Sequence, residues 1–222
     1  MRLGPEDHAR VSEAIRAAEA TTAGEIVPAV AQRSDAYHDA ALQYAVLAML
    51  GVLAVLAAEP WLATRLWEWV AGTWSAPPAG APFVVALVLV TLAFLVVRYL
   101  LAWTPLRLAL TPGATKTRRV RRRALALFRI GAERRTVGRT GVLIYLSLAE
   151  RRAEIIADAA IHDRVAPDVW GAAMASLLAD VRDGRPGDGL VAAIAQVGQV
   201  LAEHFPRQAD DVNELPDRLV EP

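Results

Sequence analysis

Five side chains in this sequence could converge on a hard cation: Glu25, Asp158, His162, Asp163 and Asp188. Calcium and magnesium prefer carboxylate and carbonyl oxygens, so a site for either needs at least three such groups around one point, with metal–oxygen bonds of about 2.0 to 2.6 Å. Asp158 closes a strand-like stretch, and His162 and Asp163 follow within about one turn, so these three can share a rim. Each candidate also has an ordinary structural use. Asp158 and Asp163 can cap turns or helix starts, His162 can be a surface residue, Asp188 can be a helix N-cap, and Glu25 at a strand start can pair with an arginine. Cysteine is absent, which excludes disulfides, thiolate metal sites and thiol nucleophiles. The sequence also contains no Gly-rich phosphate loop, no Ser-x-x-Lys and no nucleophile elbow.

A second constellation is basic. Lys116, Arg118, Arg119, Arg121, Arg122 and Arg123 fall within eight positions of a chain whose formal net charge is zero. A cluster of this kind attracts anionic lipid headgroups at about 1 kcal/mol per residue near a surface, and it also fixes membrane topology. Nucleic acid is not expected as a partner, because no aromatic residues are interleaved with the basic ones.

These groups are positioned by elements that divide the chain into soluble and apolar parts. Ala40–Ala58 and Phe83–Trp103 are apolar runs of about 20 residues, long enough as helices to cross the roughly 30 Å hydrocarbon core of a bilayer. Arg98 lies five residues before Trp103, where its side chain can snorkel to the interface. Between the runs Arg65 is the only Arg or Lys, whereas Arg107 and the basic cluster follow the second run. This bias predicts an inner-membrane, multi-pass protein with both termini and the soluble part in the cytoplasm. Trp61 to Trp74, with four tryptophans, suits an interfacial amphipathic piece ended by Pro77-Pro78. The N-terminus, polar and charged, does not read as a cleavable signal peptide.

In the soluble parts, Pro5–Thr22 has helical periodicity, and Glu25–Ala31 reads as a strand that Pro28 confines to a sheet edge or a bulge. Lys116–Arg135 is a basic helix. Gly141–Leu148, continuously apolar, reads as a central strand, and Ala153–Asp158 completes a hairpin with it. Helices are expected over Pro167–Val181 and Leu190–His204, joined by a tight connection through Gly184, Pro186, Gly187 and Gly189 with Asp188 as N-cap. The acidic tail from Arg207 onward is expected to be extended or disordered. A lone first strand cannot form a stable sheet, so it must pair with the strands that follow the apolar runs. The expected architecture is an α/β fold, a small αβα sandwich with a short mixed sheet, interrupted by a two-helix transmembrane hairpin. Its parts are residues 1–39, the hairpin 40–103, the second half of the domain 104–206, and the tail 207–222.

Several stretches, taken in order, resemble the TPM domain family. Thr22–Val27 is similar to that family's first strand, and Gly141–Ser147 followed by Glu150–Ile155 to its central hairpin. Asp158–Ile161 stands where the family has a short acidic or glycine turn, and Asp183-Gly184 with Gly187–Leu190 resembles the turn opening its last helix. The similarity covers about 140 residues and is greatest to a small bacterial branch with a membrane hairpin after the first strand. It implies an α/β sandwich and, in some plant members, phosphatase activity with calcium or other divalent metal. Many members carry an acidic or Asn-Asp step before the central strand, where this chain has Arg139-Thr140. Two functions follow as expectations: a membrane-anchored module that binds a protein partner or assists a membrane complex, or a metal-dependent phosphatase built on Asp158, Asp163, His162 and Glu25 with calcium or magnesium.

Overall fold

The computed structural model describes residues 3–72, 77–131, 140–207 and 216–222. Two compact units result: residues 1–35 together with 113–222, and residues 36–112.

The first unit is built on a three-stranded mixed sheet. Strand β1 (Glu25–Ala31) pairs in parallel with β2 (Gly141–Ser147), from Glu25↔Gly141 to Ala31↔Ser147. β2 pairs antiparallel with β3 (Arg152–Ala157), so the order is β1-β2-β3, with the most apolar strand central. β1 and β2 are neighbours although 109 residues lie between them in sequence. Pro28, having no N–H, sits on an edge strand where that donor is not required by a second neighbour.

Alternation along the strands sends side chains to two layers. Ile26, Val30, Val142, Ile144 and Leu146 face a core completed by helices α1 (Pro5–Glu19), α8 (Trp170–Arg182) and α9 (Pro186–His204). Ala29, Ala31, Leu143 and Tyr145 face α6 (Gly113–Gly131), which buries Val120, Ala124 and Phe128 at i, i+4 and i+8. The sandwich is therefore αβα. A single helical turn, α7 (Ala159–His162), and a 3-10 turn (Pro167–Val169) connect β3 to α8.

Several boundaries differ from the sequence expectation. α1 stops at Glu19 rather than Thr22, because the Thr22 hydroxyl donates to Phe205 O and accepts from the Gly24 N–H, leaving the helix for a turn. α6 begins three residues early, and the expected 132–135 lie outside the described residues. α9 begins at Pro186, with proline in its first turn, so Asp188 lies inside the helix and the N-cap position falls on Arg185. The glycines there serve contact rather than a turn. A Cβ on Gly187 would come within 2.1 Å of Asp7 Oδ1, and one on Gly189 within 3.0 Å of Leu177 O, so both let α9 close on its neighbours. The tail is not simply extended: Leu219 is buried in the α1/α8/α9 core, and Val220 bridges to Ala29.

The second unit holds α2 (His38–Ala58), α3 (Trp61–Ala71), α4 (Ala81–Leu100) and α5 (Thr104–Leu110). α2 and α4 pack along each other and α3 packs on α4. α5 starts at Thr104 with Pro105 in its first turn, where proline is well tolerated. α2 and α4, of 21 and 20 residues, are long and apolar enough to cross a membrane. Leu47, Leu50, Val55, Phe83, Leu87, Leu92 and Leu95 are all exposed along them. The expected interfacial piece is helical from Trp61 to Ala71, while Trp74 falls outside the described residues.

Candidate functional site

The strand register sets where the expected ligands fall. Glu25 opens β1, Gly141 opens β2, and Asp158 follows β3, so Glu25 and Asp158 lie at one end of the sheet with one strand between them. Adjacent strands are about 4.8 Å apart, which puts the two outer strands roughly 10 Å apart. Asp158 is buried and its carboxylate Oδ2 accepts from the Gly141 N–H at 3.1 Å, while the Asp158 N–H donates to Gly141 O at 3.0 Å. It also occupies the N-cap position of α7. Asp158 thus closes the end of the β2–β3 ladder and starts the next turn. His162 and Asp163 are exposed at the far end of α7.

Asp188 lies elsewhere, in the first turn of α9. Its carboxylate accepts from Arg10 at 2.6 Å and from Arg185 at 3.4 Å, and the Arg10 hydrogen bond holds its pKa below the ordinary value. Among the described residues, no group of three or more His, Asp or Glu is placed to hold a metal ion. The structure brings Glu25 and Asp158 to one sheet end and leaves Asp188 apart. The Arg139 position in the step before β2 lies outside the described residues.

A carboxylate not singled out in the sequence reading sits beside Glu25. Glu19, Glu25 and Asp217 line a polar cavity of about 200 Å³ together with Arg16, Ala20, Thr22 and Arg207. Glu19 Oε1 accepts from the Ile26 N–H at 2.9 Å. Burial pushes Glu19 up to about 8, and the charges of Glu25 and Asp217 act in the same direction against that hydrogen bond. The signal was present: an acid in the last turn of α1 opposes the helix macrodipole. In the fold it serves an outward-facing N–H of the edge strand.

The basic cluster divides by what each side chain meets. Arg119 turns to Asp35 in a 2.7 Å pair. Burial holds the Glu154 carboxyl and the Tyr145 phenol above their ordinary values, with Arg121 acting against it at the first and Ser34 and Arg123 at the second. Arg118 and Arg122, four residues apart, are exposed on the side of α6 opposite the Val120–Ala124–Phe128 stripe. Lys116 is half-buried near the start of the helix. At the other end of the sheet, Ser34 Oγ and Tyr145 Oη are 3.0 Å apart and the Ser34 N–H donates to Glu150 Oε1 at 2.9 Å. Glu150 Oε2 also accepts from the buried Ser147 hydroxyl. This network fixes the residues with which the chain leaves β1.

No family model matches the chain, and no curated protein matches it. Its fold is similar to that of the BA42 protein from the psychrophilic bacterium Bizionia argentinensis, solved by NMR. The two are 19% identical, the superposition covers 100% of this chain and 97% of that one, and the TM-score is 0.57. At this identity the likeness is one of fold.

Proposed function

We propose that this chain is a membrane-anchored module of TPM type, with an αβα domain that binds a protein partner or assists a membrane complex. One observation carries the membrane reading: α2 and α4 have the length of spans, yet 17% and 0% of their most apolar windows are buried. A core helix of a water-soluble domain of this length would bury one face. Exposed apolar surface on this scale calls for lipid or a protein partner. The family reading is supported by the order of the motifs along both halves of the domain and by the αβα sandwich they form.

The proposed placement is an inner membrane, with both termini and the αβα domain cytoplasmic. Its support is the charge bias, with Arg65 alone between α2 and α4 and the basic residues of α6 following α4. Arg118, Arg121, Arg122 and Arg123 are the exposed side chains of α6 that can meet anionic headgroups, while Arg119 pairs with Asp35. The test is membrane extraction at alkaline pH combined with a reporter fused after Pro222. An integral protein with a cytoplasmic terminus stays in the pellet, and a reporter active only in the periplasm stays silent. Release into the supernatant removes the membrane reading, and an active periplasmic reporter reverses the sidedness.

The family resemblance also implies metal-dependent phosphatase chemistry with calcium or magnesium. Among the described residues no ligand set converges on a point that could hold such a metal. A rise in Tm with millimolar calcium or magnesium that disappears in Asp158→Asn would reinstate a metal at that sheet end.

A further inference from the structure

The outer edge of β1 is protected by three different devices. An edge strand offers unpaired backbone groups to any extended chain that meets it. On β1 the residues whose backbone points away from β2 are Ile26, Pro28 and Val30. The Ile26 N–H is held by the Glu19 carboxylate, and Pro28 has no N–H. The Pro28 carbonyl accepts from the Val220 N–H at 3.0 Å, and the Val30 N–H donates to Val220 O at 2.8 Å. A segment near the C-terminus therefore lies on this edge as a parallel strand of one rung.

That rung is a single one for a chemical reason. In a parallel ladder the rung before it would need an N–H at position 28, and the rung after it would need an N–H at position 222, and both positions are proline. The side chains around the rung are nevertheless specific. Leu219 is buried in the core, Asp217 Oδ2 is 3.8 Å from Arg16 Nε, and Glu221 Oε1 is 3.7 Å from His8 Nε2. Arg16 and His8 are both on α1, which also places Glu19 against the edge. The segment combines a specific seat with little backbone pairing and ion pairs exposed to water, which contribute little. Such a segment opens at low cost.

We propose that the β1 edge is an acceptor for an extended peptide of a partner protein, and that residues 216–222 are its resident, displaceable occupant. The peptide it fits runs parallel to β1, places an apolar side chain where Leu219 sits, and carries carboxylates two residues before and two residues after it. A partner with a non-proline residue at the position of Pro222 gains a second rung, to the Val30 carbonyl, which the resident segment lacks. The proposal deepens the partner-binding reading and does not depend on membrane anchoring, so its failure leaves the extraction and reporter results untouched.

The test uses full-length protein in detergent and a fluorescent peptide of sequence PDRLVEA, followed by polarisation. Leu219→Asp empties the seat, and Val220→Pro, which removes the segment's only edge-bonding N–H at a more exposed position, serves if the first variant does not fold. The expected result is binding to the emptied protein at least tenfold tighter than to wild type, with none for a scrambled peptide. A peptide with aspartate in place of its leucine should lose the tenfold, because the buried Leu219 seat rather than the exposed ion pairs supplies most of the affinity. Equal binding to wild type and emptied protein, equal binding of the scrambled peptide, or no binding to either folded variant overturns the proposal. A wild-type dimer that the peptide dissolves also overturns it as stated, because the natural occupant would then be a second copy of this chain.

Discussion

The two faces of the three-stranded sheet are covered in opposite ways. One face lies under α1, α8 and α9, where Val11, Ile15, Leu177, Val181, Leu190, Ile194, Val197 and Leu201 are wholly buried. The other lies under α6 alone, with Val120, Ala124 and Phe128 as its buried stripe and arginines along both margins. Stability is concentrated on the first face and charge on the second. The difference teaches that a thin layer can be kept apolar beneath and strongly basic outside when one amphipathic helix serves both, so its outer residues are open to change without loss of fold.

The largest effect should come from the thick face. Leu201→Ala removes a wholly buried side chain that also packs on Gly24, and should cost about 3 kcal/mol. Thermal unfolding followed by circular dichroism checks it, and a loss below about 1 kcal/mol would show that the core is not where the structure puts it. Next is Gly198→Ala, whose new methyl would lie 2.6 Å from Ala18 Cβ at the α1–α9 contact. It should cost on the order of 2 kcal/mol through overpacking, measured in the same way.

Glu19→Gln should have an effect of similar size but opposite sign, and only at some pH values. Glu19 ionises at about 8 in the fold against an ordinary 4.5, so the folded state binds its proton more tightly. Stability is therefore full below about pH 4.5, falls as pH rises through 8, and is level above that. Glutamine keeps the Oε1 acceptor for the Ile26 N–H and cannot ionise. The variant should match wild type at pH 4.5 and exceed it by about 1–2 kcal/mol at pH 8.5, after discounting for partial exposure. Melting curves at the two pH values decide it; a gain at pH 4.5 as large as at pH 8.5 would remove ionisation as the cause.

The smallest effect on folding should be on the thin face. Arg118→Glu with Arg122→Glu should change stability by less than about 0.5 kcal/mol. The pair should reduce the anionic lipid that stays bound to the detergent-purified protein severalfold, with little change in neutral lipid, as measured by mass spectrometry of the co-purified lipid. A large loss of stability would mean that the outer side of α6 is not free of the fold.

What could be read from the sequence follows the range of the interactions involved. Gly141–Ser147 declares itself central because it is apolar on both faces, and Pro28 declares its strand an edge because it lacks a donor; both are properties of the residues themselves. The apolar runs of α2 and α4 are legible for the same reason. The start of α9 is not, because Gly187 and Gly189 look like turn residues until Asp7 and Leu177 are placed against them. Glu19 is marked by its position in a last helical turn, yet its role depends on an N–H seven residues on. The burial of Leu219 cannot be seen in an acidic, proline-flanked tail, since the seat is made by other elements. The expected ligands separate for a like reason: sequence distance placed Asp158, His162 and Asp163 together, but α7 intervenes and turns the latter two to solvent.

The proposed topology places α2 and α4 in lipid, interrupting one folded α/β unit that stays on the cytoplasmic side. The absence of native cysteine makes a direct measurement possible, because each introduced thiol is unique. Single variants Ala79→Cys, Leu47→Cys and Arg122→Cys are treated in intact cells with a membrane-impermeant maleimide and then again after permeabilisation. With that topology Ala79→Cys labels in intact cells, Arg122→Cys labels only after permeabilisation, and Leu47→Cys resists both. Labelling of Arg122→Cys from outside, or of Leu47→Cys under either condition, contradicts it.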